Sequence, residues 1–124
     1  MNLNKKILVQ NCIIFLLQRG HGKNPDDLEP GLITAAPAFI SIGTISDADG
    51  PTTITLTDDK NWPCKNPDMK LMHEGTIETP ARSIQVCTVL WEEVFSVPVK
   101  GEITSIQILA NDSYVPDRIC IILD

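Results

Sequence analysis

The chain has 124 residues, 43% of them hydrophobic, and a formal net charge of −6 at pH 7. Domains usually take about 100–200 residues, so residues 1–124 are expected to form a single domain with a core that needs no metal or disulfide staple. The negative charge leaves no patch to neutralise phosphates, which argues against direct nucleic-acid binding.

In chain order, Lys5-Lys6 followed by ILVQNCIIFLL has the beginnings of a secretory signal. Gln10 and Asn11 interrupt the run, no small-x-small cleavage site follows, and it is far shorter than the ~20 residues of a membrane span. It reads instead as a buried first strand over residues 7–17, and a cytoplasmic location is expected. Residues 19–30 (RGHGKNPDDLEP) form a polar loop, with one helical turn over 25–28 that Asn24 would cap. A second strand is expected over residues 39–45, a turn over 47–51, and a third strand over 53–57 with Ile54 and Leu56 inward and the threonines outward. Residues 58–70 (DDKNWPCKNPDMK) make a long loop rich in chemically able side chains, the kind that often carries function. A strand over 71–78 and a turn at Pro80-Ala81-Arg82 follow.

From Glu74 to Leu109 the sequence is written almost wholly in period two. Ile84, Val86, Thr88 and Leu90 face one way and Ser83, Gln85, Cys87 and Val89 the other, which places Val86 in a core and Gln85 toward solvent. Phe95, Val97 and Val99 alternate in the next strand, whose Pro98 has no amide hydrogen to donate and so belongs at a sheet edge. Lys100-Gly101-Glu102 turns the chain into a strand with Thr104, Ile106 and Ile108, giving a run of antiparallel strands with short connections. Residues 111–117 (NDSYVPD) are the last loop and 119–123 the last strand. The fold class is therefore all-β, a two-sheet antiparallel β-sandwich of roughly eight strands, with a partly open β-barrel as the alternative.

Cys12, Cys64, Cys87 and Cys120 show no Cys-x-x-Cys spacing, and three lie in apolar strand patterns where a free thiol packs as a small hydrophobe. Spacing alone leaves a Cys87 to Cys120 bridge open. His21 and His73 each lack a second histidine at ligand spacing, and Asp47-x-Asp49-Gly50 lacks the remaining ligands of a calcium loop. Phosphate-cradling glycine motifs and the Gly-x-Ser-x-Gly elbow are absent, and Glu92-Glu93 would point to opposite faces of one strand. No catalytic residue, cofactor or metal site is assigned. The enzymatic alternative is a hydrolase or metal-dependent enzyme using His73, Glu74 and Cys64, and a third reading is a homo-oligomer built through sheet edges.

Acidic pairs at Asp26-Asp27, Asp58-Asp59 and Glu92-Glu93, with Asp47 and Asp49 close together, read either as a solvated surface that keeps the protein soluble or as a field that attracts a basic protein partner. Asp58, Asp59 and Trp62 are the expected contact site, an aromatic anchor beside charges that steer approach. The competing reading has Trp62 folded inward over the open end of the core.

Four segments, ISIGTISDADGPTTITL, HEGTIETPARSIQV, VFSVPVKGEITSIQI and PDRICIIL, resemble in strand order and turn position the small bacterial β-sandwich proteins whose best-known relative is the competence protein ComJ, a nuclease inhibitor. The likeness covers the chain from about Ile13 onward. It implies a β-sandwich and a non-enzymatic binding protein of inhibitor or immunity type. It has no invariant motif, so no binding residue is carried over.

Overall fold

Ten strands in two five-stranded sheets make up the computed structural model, which describes residues 1–23 and 32–124. One sheet has the order β1 (Asn2–Ile7), β5 (Thr52–Thr57), β10 (Arg118–Leu123), β9 (Ile103–Ala110), β6 (Lys70–Glu78). The other has the order β3 (Ile33–Ala36), β4 (Phe39–Gly43), β2 (Ile13–Leu17), β7 (Ser83–Thr88), β8 (Glu93–Pro98). The sheets face one another across the core and do not close into a barrel, so the sandwich holds and the barrel alternative does not. The helical turn expected over 25–28 and the Asp26-Asp27 pair lie outside the described residues.

The count is ten and not eight because the run 7–17 divides between two strands and β3 is a further one. β1 ends at Ile7, a 3₁₀ turn occupies Gln10–Cys12, and β2 starts in the opposite sheet. Asn11 and Cys12 take positive φ of 57° and 58°. Asparagine tolerates that left-handed region, so the polar residues that weakened the signal reading are where the chain changes sheet. β1 lies farther toward the N-terminus than expected and forms a sheet edge bearing Lys5 and Lys6, charges that discourage pairing with another chain. β3, only four residues, carried no alternation to find.

Two connections also differ from expectation. β6 pairs with β9 and β7 with β8, so residues 79–82 and 99–102 carry the chain between sheets and do not join a simple meander. β5 and β10 run parallel, pairing Thr55 with Cys120, which makes that sheet mixed and not purely antiparallel. Pro98 does sit on an edge strand, β8.

Ile14, Leu16, Ile40, Ile42, Ile54, Leu56, Ile84 and Val86 fill the space between the sheets, each at most 1% exposed. Burying a side chain of this kind contributes about 1.5–3 kcal/mol. The outer faces are partly buried too. Phe15, Leu17, Phe39 and Cys87 cluster outside β2, β4 and β7, while Met69, Leu109, Cys120 and Ile122 cluster outside β9 and β10. Gln85 is accordingly 7% exposed and not toward solvent: its Oε1 accepts from the Arg19 amide and its Nε2 donates to Ser96 Oγ. Thr53, Thr55 and Thr57 of β5 face outward, yet Thr55 and Thr57 are buried as well, while Thr52 shares the inner face of Ile54 and Leu56.

Candidate functional site

The strand directions define two ends. At the upper end lie the finish of β1, β4, β7 and β9 and the start of β2, β3, β5, β6, β8 and β10, with residues 8–12, 44–51, 89–92 and 111–117 as four of the connections there. At the lower end the chain passes through residues 79–82 and 99–102. β5 and β6 run the same way in one sheet, so residues 58–69 must return along the whole outer face, carrying the short helix α1 (Trp62–Lys65).

That return path holds the expected contact residues. Trp62, half-buried, packs against Met69, Leu109, Cys120 and Ile122. Asp58 Oδ1 lies 3.1 Å from the amino group of Met1. Asp59 Oδ2 meets Lys65 Nζ at 2.9 Å and its Oδ1 accepts from the Asn61 amide, and the Lys65 ammonium foremost holds this carboxyl below its usual range. Sequence therefore places the three residues on one loop, and the structure gives both carboxylates a cation of their own.

His73 and Glu74 follow a bulge in β6, whereas Cys64 is exposed on α1. Among the described residues no hydrogen bond joins these three, and no group of three His, Cys, Asp or Glu is placed to hold a metal ion. Glu74 instead lines a groove of about 510 Å³ with Lys60, Gln107 and Asp124, where Lys60 and Asp124 pair at 2.6 Å. His21 Nε2 lies 2.8 Å from Glu78 Oε1. Cys87 and Cys120 are free, and they project from the outer faces of opposite sheets with the core between them. Burial pushes these thiols up to about 11 and about 12 respectively, so both pack as neutral hydrophobes.

A different constellation occupies the upper end. Leu8, Leu90, Trp91, Tyr114 and Val115 all lie in its loops and are 42–86% exposed. The same four loops contain Asp47, Asp49, Glu92, Asp112 and Asp117 and not one Lys, Arg or His. None of these five carboxylates is ion-paired among the described residues.

Local hydrogen bonds force this exposure. Asp112 Oδ2 accepts from the amides of Tyr114 and Val115, at 2.9 and 2.7 Å, and these bonds hold its carboxyl below the usual range. Asn111 ties off the base of the loop through Asp117 Oδ1 and the Arg118 amide. Pro116 is buried, and its carbonyl accepts from the Ile45 amide at 2.9 Å, so Tyr114 and Val115 stand outward on a fixed turn. Trp91 takes a positive φ of 63° in a turn closed by Thr88, with its ring 5.4 Å from Phe15. Such a conformation costs a bulky residue about 1–2 kcal/mol. Between the loops a groove of about 550 Å³ runs from Asn11 past Leu32 and Asp49 to Tyr114 and Val115, and a second of about 310 Å³ lies beside Asp47 and Leu90.

Sequence reading had put Leu90 on the inner face of its strand, but β7 ends at Thr88 and Leu90 is 61% exposed. The NDSYVPD loop could have signalled more, since an aspartate two and three residues before Tyr114 and Val115 forms a turn that holds them out.

The architecture defines the chain as an all-β protein of two five-stranded sheets with exposed aromatic and aliphatic side chains at one loop end. No protein-family model matches the chain, and no curated protein matches it in sequence. Among solved structures it is similar in fold to that of ComJ, inhibitor of the DNA degrading activity of NucA, from Bacillus subtilis. The TM-score is 0.64 at 8% sequence identity, over 98% of this chain and 93% of that one. Among the described residues no helix is long and apolar enough to cross a membrane.

Proposed function

We propose that the protein is a non-enzymatic binding protein of inhibitor or immunity type, acting in the cytoplasm on a basic protein through its upper end. The observation that carries this reading is the segregation there of exposed aromatic and aliphatic side chains with five unpaired carboxylates and no loop cation. Trp and Tyr are the residues that most often anchor interfaces, and surrounding charge accelerates approach of an oppositely charged partner. The ComJ structure supports the class of function: that protein inhibits a DNA-degrading activity, and enzymes that grip DNA do so with cationic surface. Four free cysteines suit a reducing compartment.

Affinity capture on the immobilised chain tests the reading. A basic protein should be retained at low salt and released as salt rises. Tyr114→Ala should weaken that complex by about 2 kcal/mol or more. Asp58, Asp59 and Trp62 are the competing location, and a Trp62→Ala variant that loses the partner while Tyr114→Ala keeps it would move the contact there. Retention of acidic proteins only, indifferent to salt, would sink the inhibitor reading.

A further inference from the structure

The larger upper groove combines apolar walls with an aromatic ring and a carboxylate. Ile13, Leu32 and Val115 supply apolar walls, with Tyr114 and Asp49 also along it. Gly43 keeps it open at one point: a Cβ there would come within 3.3 Å of Leu32 Cδ1, and any larger side chain would crowd the wall. Asp49 stands exposed beside this apolar length, with no ion-pair partner among the described residues.

An apolar cleft with a carboxylate and an aromatic ring along it fits a side chain that is aliphatic for most of its length and cationic at the tip. Arginine answers better than lysine, because its planar guanidinium both stacks on an aromatic ring and meets a carboxylate through two hydrogen bonds. The five loop carboxylates repel an acidic side chain. We infer that this groove receives an arginine side chain of the partner protein, with its stem against Ile13, Leu32 and Val115, its guanidinium on Tyr114 and its charge opposite Asp49. The inference rests on the basic-partner reading above and adds to it the residue type that anchors the complex.

Titrating the isotope-labelled full chain with N-acetyl-arginine methylamide, followed by amide NMR, tests it, with the lysine, norleucine and glutamate analogues as comparisons. Arginine should shift the amides of residues 11–13, 43–49 and 113–115, followed in strength by lysine and then norleucine, with no response to glutamate. Asp49→Asn, an exposed change expected to leave thermal stability alone, should weaken arginine about fivefold and leave norleucine unaltered. Norleucine binding as tightly as arginine would overturn the inference. So would shifts centred on residues 58–62, no shift up to the solubility limit of the probe, or groove amides that move with protein concentration alone, which would put a second copy of the chain in the cleft. Failure of the wider reading is distinct: if affinity capture retains no basic protein, that reading falls regardless, whereas a captured basic protein indifferent to Asp49→Asn removes only the arginine site.

Discussion

The two ends of the sandwich manage polar groups in opposite ways. Toward the lower end Asp58, Asp59 and Asp124 each meet a cationic partner within 3.1 Å, and Glu78 Oε1 lies 2.8 Å from His21 Nε2. There Thr79, fully buried, donates to the Gly101 carbonyl and shares a hydrogen bond with the Thr104 hydroxyl at 2.8 Å, while Gln18 Oε1 accepts from the Ala81 amide. At the upper end the polar groups hold the loops in shape without covering what the loops display. Acids already paired within the chain have little left to offer a partner, although Arg82, Lys100 and Glu102 on the lower connections stand outside any ion pair among the described residues. An end that presents unpaired carboxylates around exposed rings retains both attraction and burial for a second molecule.

The contrast presupposes one interior shared by both ends, so the largest expected effect is there. Val86→Asp places a charge at a fully buried position between the sheets and should cost about 4 kcal/mol or more, enough to unfold the chain. Gln85→Asp, next to it on the outer face, should cost about 1–3 kcal/mol through the lost donation to Ser96. Thermal midpoints rank the two, and a Gln85→Asp variant as stable as the parent would show that outer face to be open to water. The comparison of ends is tested directly by Thr79→Val against Tyr114→Ala. The first leaves buried partners unsatisfied and should cost about 1–3 kcal/mol, while the second should change stability by no more than about 0.5 kcal/mol. Urea unfolding that reversed this order would reverse the assignment of roles. The smallest effect is one of pH. The Tyr114 and Val115 amides hold the Asp112 carboxyl below its unfolded value, so the turn they form is fully present above about pH 3.9 and is lost as pH falls through the lowered pKa. The Thr79 hydroxyl bonds do not titrate. In an acid NMR titration the Tyr114 and Val115 amides should therefore move with a midpoint below about 3.9, and a midpoint at or above that value would contradict the fixed turn.

Period-two alternation made most strands legible, because burial of one face fixes which residues alternate, as at Ile84 and Val86. It failed where both faces are buried. Gln85 and Cys87 read as a solvent face, yet they lie under an outer cluster that no local pattern reveals. It failed again where direction changes without a strong breaker, since Asn11 and Cys12 turn the chain between sheets inside an apolar run. Sheet order depends on contacts between distant segments, and nothing local in β5 announces a parallel neighbour near the other end of the sequence. At the upper end the acidic residues of each loop were legible in sequence, and their convergence with exposed side chains from other loops was not. Asp58, Asp59 and Trp62 stood out as neighbours in sequence, whereas the upper end gathers Leu8, Leu90, Trp91 and Tyr114 from separate loops.

β10 is the last strand in the sequence, yet it occupies the middle of its sheet, with β5 on one side and β9 on the other. Without it, β5 and β9 would each keep an unpaired backbone edge. The half-sheets β1-β5 and β9-β6 are joined only through it. Long-range pairing of this kind folds slowly and leaves sticky edges exposed meanwhile. The sheet is complete only with β10 in place between β5 and β9.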